Sequence, residues 1–574
     1  MYGNFGGVFV WGYLAITACT FLTIGTDAAL GQTVAPGDEP GRIEQRFIPP
    51  PTPKAGIATR EGLESTLPPD QAEKIILNLK AVRFEGNTVF SDADLRQLAA
   101  QYTGKRVSLR DVFKIAADVT AQYGHAGYTL TRAIVPPQEF DQAHATITIR
   151  VIEGYVNTVI WPSGIGRYRD LFSSYGSKIT AERPIRVQTM ERYLLLANDL
   201  PGLRFSSKLR ASDKNPAAST LEVTLEDEDH FSLVLGADNR GTEGSGPFQP
   251  SALATASNLL GLHEEFKFGY TAAGPQVNSE NPELHYLTFG YHQVLSSEGL
   301  AFDLSGNASW GEPGTSDLLL LGYQTDSLNI SGIVSYPFIR TRDTNLTGSV
   351  AFDWKNSKSD MLGTLSTRDR LRIVRGELEF DHADELNGVN QAILSVNQGI
   401  DGLGSTENDN PFASRGNGRV DFTKATLQLS RIQTLGGGNS AYVLGYGQLA
   451  ANPLLSSQEC GYGGGWVGRS FEPSIVTGDH CALFLGELRH DFDAGASGFS
   501  KLQLYSFADY GSIWNIDAPL GTAKHDDAAS AGGGIRLGWR MLEADFQAAY
   551  QLERPNSVPV EHRLGFFVDI SARF

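Results

Sequence analysis

Cysteine is nearly missing from this 574-residue chain, which has three. One of them, Cys19, lies in the apolar start of the chain, so a form that loses that start keeps only Cys460 and Cys481. Two cysteines in a long chain exclude a disulfide-stapled miniature scaffold and fit one bridge in an oxidising compartment; two free buried thiols are the alternative. Long apolar runs are scarce as well. Only Val8 to Leu30 has the length of a membrane helix, and a mean hydropathy of −0.20 excludes a bundle of such helices. Basic residues are in deficit: 47 Lys and Arg against 65 Asp and Glu give a formal charge of −18. That balance disfavours nucleic acid as a partner and fits acidic surface loops. Chemistry-bearing motifs are absent too. No H-E-x-x-H or paired C-x-x-C occurs, and "YTGKRV" (102–107) lacks the first glycine and the hydroxyl of a nucleotide loop. Nothing points to nucleotide hydrolysis, a resident metal or a cofactor, and no residue is assigned a catalytic role.

What is present divides the chain into three regions, as its length requires. No charge occurs before Asp27, and Ala29 and Gly31 are placed for cleavage before Gln32. Residues 1–31 therefore read as a secretory signal peptide, ahead of a retained anchor or a lipoprotein site at Cys19. Residues 32–72 hold eight of the 26 prolines, the composition of a semi-rigid leader, with one short helical pattern, "DEPGRIEQRF". Residues 73–154 and 155–229 each mix strand and helix signals. Ser91 with Asp94 reads as a capping box. Ser108 opens a second helix with Val112, Ile115, Ala116, Val119 and Tyr123 at helical spacing. "HATITIRVIEG" then alternates as a strand, and a similar order recurs up to "STLEVTLEDE". Two small α+β domains in tandem are expected.

From 230 to 574 the period changes to two. In "GGGIRLGWRM", Ile535, Leu537, Trp539 and Met541 face one way while Arg536 and Arg540 face the other. The terminal strand sets Phe566, Val568, Ile570, Ala572 and Phe574 on one side. A soluble sandwich and a membrane barrel both alternate in this way. About 344 residues, at about 21 per strand and turn, make roughly sixteen barrel strands. Charges spaced along the second face suit a wet lumen better than a dry core. The reading is an all-β transmembrane barrel of about sixteen antiparallel strands.

In this order the segments resemble an outer-membrane transporter of two-partner secretion (TpsB type, haemolysin/haemagglutinin secretion-activation family) of the Omp85 superfamily. "FEGNTVFSDADL", "GYTLTRAIVPPQEF" and "MERYLLLANDLPGLRFSSKL" resemble segments of its two periplasmic POTRA domains. "YPFIRTRDTNL", "NQGIDGLG" and "LYSFADYGSIW" are similar to barrel segments. The resemblance implies that a loop near 456–482 returns into the lumen, with "VGRSFEPSIVTGD" at its tip. Gly468, Arg469, Ser470 and Phe471 stand where the family has Val-Arg-Gly-Phe/Tyr, so serine replaces the usual glycine. Phe507, Asp509 and Gly511 match the family's Phe-x-Asp-x-Gly strand. Alternation independently turns Asp509 inward, since Leu502, Leu504, Ala508 and Tyr510 form the apolar set. The expectation is a side-chain pair between Arg469 and Asp509, against a mobile, glycine-rich surface loop. Glu487 is a further candidate lumen charge, Phe574 the barrel's C-terminal signature, and Cys460 with Cys481 would tether the loop.

The implied function is export of an unfolded partner, TpsA-like and β-helical, captured by the POTRA pair and released outside. Other implied partners are outer-membrane lipid and, during biogenesis, the barrel-assembly machinery. The leader helix is expected to plug the resting pore. Competing readings are an Omp85-type assembly factor that inserts other barrels, and a passive porin, which would need no periplasmic domains. "DHADE" (381–385) and "RHDFD" (489–493) have ligand-type residues but read as solvated turns.

Overall fold

The computed structural model describes residues 34–55, 72–163, 165, 169–212, 214–228, 230–274, 282–493, 498–518, 523–556 and 563–574. The signal-peptide expectation for 1–31 lies outside them. No helix among the described residues is long and apolar enough to cross a membrane, which leaves strands untested by that criterion.

Sixteen strands from Phe231–Asp238 to Leu564–Arg573 form one closed antiparallel barrel. Closure follows from alternation without charge on one face. In a bilayer an unpaired edge would leave amides and carbonyls without partners, and only a closed sheet has no edge. On Lys501–Trp514, Leu504 and Tyr510 are exposed outward while Gln503, Tyr505, Phe507 and Asp509 are buried inward. Ile535 and Trp539 face outward as the alternation predicts, and Arg536 faces inward. Arg540 differs: it occupies a turn with φ of 54°, so the alternation has already ended there. The seam joins Leu564–Arg573 to Phe231–Asp238. Leu233 and Phe574 exchange both backbone bonds at its end, at 3.0 and 2.8 Å.

The N-terminal units lie at the mouth where the chain enters its first barrel strand. In the first, a sheet runs Lys105–Ser108, Ile76–Glu85, Ala145–Ile152, Arg132–Ile134, with helices Asp92–Ala99 and Leu109–His125 on it. Both helices begin with complete capping boxes, Ser91–Asp94 and Ser108–Asp111. Val112, Ile115, Ala116, Val119 and Tyr123 are buried against Leu79, Ile147 and Ile149. The second unit packs helices Arg169–Ala181 and Val187–Asn198 on a three-stranded sheet through Phe172, Tyr175, Leu196 and Phe205. It docks on two barrel turns. Asp199 makes a forked pair with Arg340, both contacts 2.7 Å, and Glu298 accepts from Lys178 at 2.5 Å. Arg192 donates to the carbonyls of Pro337 and Glu298.

One carboxylate closes the first unit. Glu153 accepts from the Thr88 amide and hydroxyl (2.6 and 2.5 Å), the Val89 amide (3.1 Å) and the Tyr123 hydroxyl (2.7 Å). Burial alone would raise its pKa, but the Thr88 bonds, with those from Tyr123 and Val89, outweigh burial and hold it below the usual range. A lowered folded value stabilises above the unfolded pKa, about 4.3, and that stability is lost as pH falls through the folded value. Glu153→Gln is expected to destabilise this unit by about 1–2 kcal/mol at neutral pH, with the difference shrinking as pH falls below the unfolded value and through the lowered folded one. Hydrogen exchange of Leu109–His125 in the full chain, corrected for intrinsic rates, checks this; equal protection in both proteins at neutral pH would refute it.

Candidate functional site

Between the strands Asn439–Ala450 and His480–Asp491 the chain folds back into the barrel. A short hairpin pairs Cys460–Tyr462 with Val476–Gly478 and presents a tip between them. Gly463, Gly464 and Gly468 have φ of 117°, 105° and 81° there, a region where a side chain is strained. The Gly464 amide donates to Phe471 O at 3.1 Å, and the Phe471 amide to Gly468 O at 2.9 Å. Tyr462, Val467 and Phe471 turn inward as a small core against Leu483, Leu485 and Phe507. The tip is a folded object. Ser470 fits because it needs no left-handed backbone: it is absent from the residues with positive φ, whereas Gly468 is among them.

Each position of the Phe-x-Asp-x-Gly strand meets this tip. Gly511 admits the Tyr462 ring, since a Cβ there would lie 2.3 Å from Cδ2. Asp509 accepts from the Tyr462 hydroxyl at 2.6 Å, the Ser530 hydroxyl at 2.7 Å and the Arg469 backbone amide at 3.2 Å. Phe507 lies under the Arg469 guanidinium, 4.8 Å from its ring centroid.

The expected side-chain pair is therefore replaced. Arg469 and Asp509 do meet, but through the backbone amide, while the guanidinium donates to Glu487. Register gives the reason. On adjacent strands Glu487 is opposite Phe507, and Leu485 is opposite Asp509. A guanidinium lying across Phe507 thus reaches Glu487, and Asp509 is already filled by the two hydroxyls. The Glu487 side chain is 0% exposed and also accepts from Arg489 Nε at 2.6 Å and Arg536 Nη1 at 2.8 Å. Arg536 further donates to Asp545 at 3.1 Å and covers the Tyr505 ring at 3.8 Å. Gln547 and Gln551 donate to the carbonyls of Arg469 and Ser470.

Two more fastenings act at the root of the loop. Cys460 and Cys481 form a disulfide, with Cα atoms 6.2 Å apart, joining the hairpin to the wall strand that carries Glu487. Arg415, from the loop at 400–422, donates to Glu459 at 2.8 Å and Asp479 at 2.7 Å. The leader also enters the lumen, as the helix Ile43–Phe47. Arg42 is 1% exposed and donates to Ser456 O (2.5 Å), Glu459 O (3.1 Å) and Ser474 Oγ (3.0 Å), all in the lumen loop. Glu44 reaches the wall at Asn307, Asn329 and Lys355, and Phe47 stacks on Tyr286.

Sequence reasoning missed Tyr462, Ser530, Arg42, Arg415 and the partnership of Arg489 and Arg536 with Glu487. The inward face of Arg536 was legible in its alternation; its partner was not. The acidic turn "DHADE" is occupied by an ion pair, Asp384 with Arg431 at 2.5 Å. No group of three potential metal ligands occurs among the described residues.

A closed sixteen-stranded barrel, a lumen loop locked to its wall and α+β units at one mouth define an outer-membrane transport barrel. The family of the haemolysin secretion/activation protein ShlB/FhaC/HecB matches residues 217–537, more than half of the chain, and the protein belongs to that family. A ShlB-type POTRA domain matches residues 77–154. The heme/hemopexin transporter protein HuxB of Haemophilus influenzae (strain 86-028NP) is 25% identical over 499 residues, covering 84% of each chain. The outer membrane transporter CdiB of Dickeya dadantii (strain 3937) is 24% identical over 512 residues, 85% of this chain and 86% of its own. In fold, CdiB from Escherichia coli aligns with a TM-score of 0.72 at 16% identity, over 89% of this chain and 93% of that one.

Removing one partner of a buried pair typically costs about 3–5 kcal/mol, and less beside a hydrated lumen. Arg469→Ala and Glu487→Gln are expected to be strongly coupled in a double-mutant cycle of loop protection, read by protease added outside the cell. Arg469→Ala and Asp509→Ala should come closer to additivity, because alanine keeps the backbone amide. The reverse ranking would overturn this assignment. Gly511→Ala is expected to expel the Tyr462 ring and expose the tip to protease as fully as Tyr462→Ala does; an unchanged digestion pattern would show that the cradle is unnecessary.

Proposed function

We propose that the protein captures an unfolded partner in the periplasm, threads it through the barrel and releases it outside, with no nucleotide hydrolysed. Membership of the secretion/activation family carries this reading, because the matched residues include the lumen loop and the strand that holds it. The protein is an outer-membrane transporter of two-partner secretion with its POTRA region in the periplasm. Capture falls to the α+β units. The strand Leu203–Ala211 is a sheet edge with mostly exposed side chains, onto which an extended chain can add with little sequence demand. That mode asks for a polypeptide still extended in the periplasm, and the resemblance to two-partner secretion transporters implies that it is TpsA-like and β-helical once folded. Folding outside then supplies direction, since a folded chain does not return. Phe574 and the terminal strand are the part offered to the barrel-assembly machinery during insertion.

The resting lumen is occupied by the helix Ile43–Phe47 and the loop tip. Transport on this reading displaces the helix, whose hold on the loop is the Arg42 guanidinium with Gln45 Nε2 on Ser457 O. Two outcomes are expected. Deleting residues 73–229 should leave a folded, heat-modifiable barrel that secretes none of its partner; normal secretion would sink the capture role. Arg42→Ala should raise single-channel conductance in planar bilayers several-fold by freeing the helix, and conductance equal to wild type would remove the latch.

A further inference from the structure

On three neighbouring strands the outward apolar band stops at one level. Along Gln324–Arg340 the exposed residues Val334, Ile330 and Leu328 are followed outward by Asp326. Along Thr344–Met361, Val350 and Trp354 are followed by Asn356, Lys358 and Asp360. Along Thr364–Ala383, Leu378 and Val374 give way to Arg372, Arg370 and Arg368. The register aligns these ends, with Trp354 opposite Arg372, Asn356 opposite Arg370 and Lys358 opposite Arg368. The three strands have 17, 18 and 20 residues, whereas about 9–11 span the bilayer. The basic positions therefore sit just beyond the apolar core, at the mouth away from the POTRA region.

The arginine charges there meet no carboxylate among the described residues, whereas the lysine does. Lys358 is answered by Asp326 at 3.0 Å and Asp360 at 3.4 Å. In the neighbouring loop Asp421 pairs with Arg419 at 2.7 Å. Arg368 and Arg370 are exposed, and no ion pair joins either to a carboxylate among the described residues. Arg372 is 2% exposed, yet its donors meet only neutral oxygens: Leu371 O (2.6 Å), Asn356 Oδ1 (3.1 Å), Leu403 O (3.2 Å) and Lys355 O (3.3 Å). Its guanidinium stacks on Trp354, 3.3 Å from the ring centroid. Three arginines at every second residue, in a chain of net charge −18, form a local excess of positive charge. The counter-ion has to come from outside the protein, and the medium on that face is the outer leaflet.

We propose that Arg368 and Arg370 bind the phosphate of an outer-leaflet glycolipid, with the buried Arg372 adding its charge from behind them. The acyl chains of that lipid lie along Trp354, Val350 and Val374 below. A planar guanidinium offers paired N–H groups to two phosphate oxygens, which a mobile ion in water does not match in geometry. The backbone of the same segment supports the neighbouring loop. The Arg368 amide donates to Phe412 O at 2.6 Å, and the Ile400 amide to Arg372 O at 2.8 Å. Through Arg415, that loop grips the root of the lumen insert, so a bound lipid braces the extracellular mouth. The site rests on the outer-membrane placement and does not depend on which partner is exported.

The test uses the full-length protein in detergent, titrated with bisphosphorylated lipid A and with the same lipid after phosphate removal, and read by native mass spectrometry. Wild type is expected to prefer the phosphorylated lipid at least tenfold. Each neutralised arginine near a charged membrane surface weakens binding about 5-fold, so Arg368→Gln with Arg370→Gln should cost about 25-fold. The double variant should leave binding of the dephosphorylated lipid unchanged. Arg342→Gln, at the opposite rim, should change neither, and heat-modifiable mobility certifies each folded barrel. Equal binding of the two lipids by wild type, or wild-type affinity in the folded double variant, overturns the site. A barrel that exports its partner yet binds both lipids alike overturns this site alone and leaves the transport function standing.

Discussion

A single buried carboxylate sets the geometry of the lumen. Glu487 receives guanidinium groups from three directions: Arg469 from the returning loop, Arg489 from its own strand and Arg536 from two strands away. Taking a carboxylate out of water costs several kcal/mol unless donors replace the lost hydration, and here three cations do so at once. The reverse also holds. Without Glu487 three guanidinium groups would face one another in a confined space, with Asp545 the one carboxylate left to them and Gln503, the Trp466 carbonyl and the rings of Phe507, Tyr505 and Tyr442 as neutral partners. The tip, its wall strand and the strand carrying Arg536 are thereby locked into one register. Asp509 then needs no cation and instead fixes the tip by hydroxyls and a backbone amide.

The two lumen inserts are held by different physics, and that difference assigns them different roles. The loop is joined to the wall by a disulfide and has a small apolar core of its own. The leader helix, only five residues long, is held mainly by side-chain hydrogen bonds and ion pairs through Arg42, Glu44 and Gln45. Water can replace such bonds at little net cost, typically about 1 kcal/mol each. It cannot replace a covalent link. On the proposed reading the helix is the insert that the lumen loses during export, and the loop is the one that stays.

The barrel was legible in the sequence because its period of two puts Ile535 and Trp539 on one face and Arg536 on the other, whatever the neighbouring strands are. The helices of the first α+β unit were legible because Ser91 with Asp94, and Ser108 with the helical spacing that follows it, are local signals. The resemblance placed Arg469, Asp509 and Gly511 in one site. What stayed hidden depends on register and on contacts between distant segments. Which inward residue faces Phe507 is fixed by pairing His480–Asp491 with Lys501–Trp514, and no local pattern states that offset. The grip of Arg42 on Ser456 and Ser474 spans more than 400 positions. A motif names residues that act together; it does not say which atoms meet.

The seam shows why the lumen must be the route. First and last barrel strands share only five register pairs, against 18 between Thr344–Met361 and Thr364–Ala383. At its inner face Asp238 lies opposite Asp569, two like charges that weaken the junction. By pairing alone this would be the place for the wall to part. Both ends are nevertheless clamped. Leu233 and Phe574 exchange backbone bonds at one end, and the Asn239 amide bridges Val568 and Phe566 at the other, at 2.7 and 2.9 Å. A polypeptide cannot leave sideways without breaking these bonds in a medium that offers no replacements. Passage along the axis displaces side-chain contacts of the helix and leaves the backbone bonds of the wall intact.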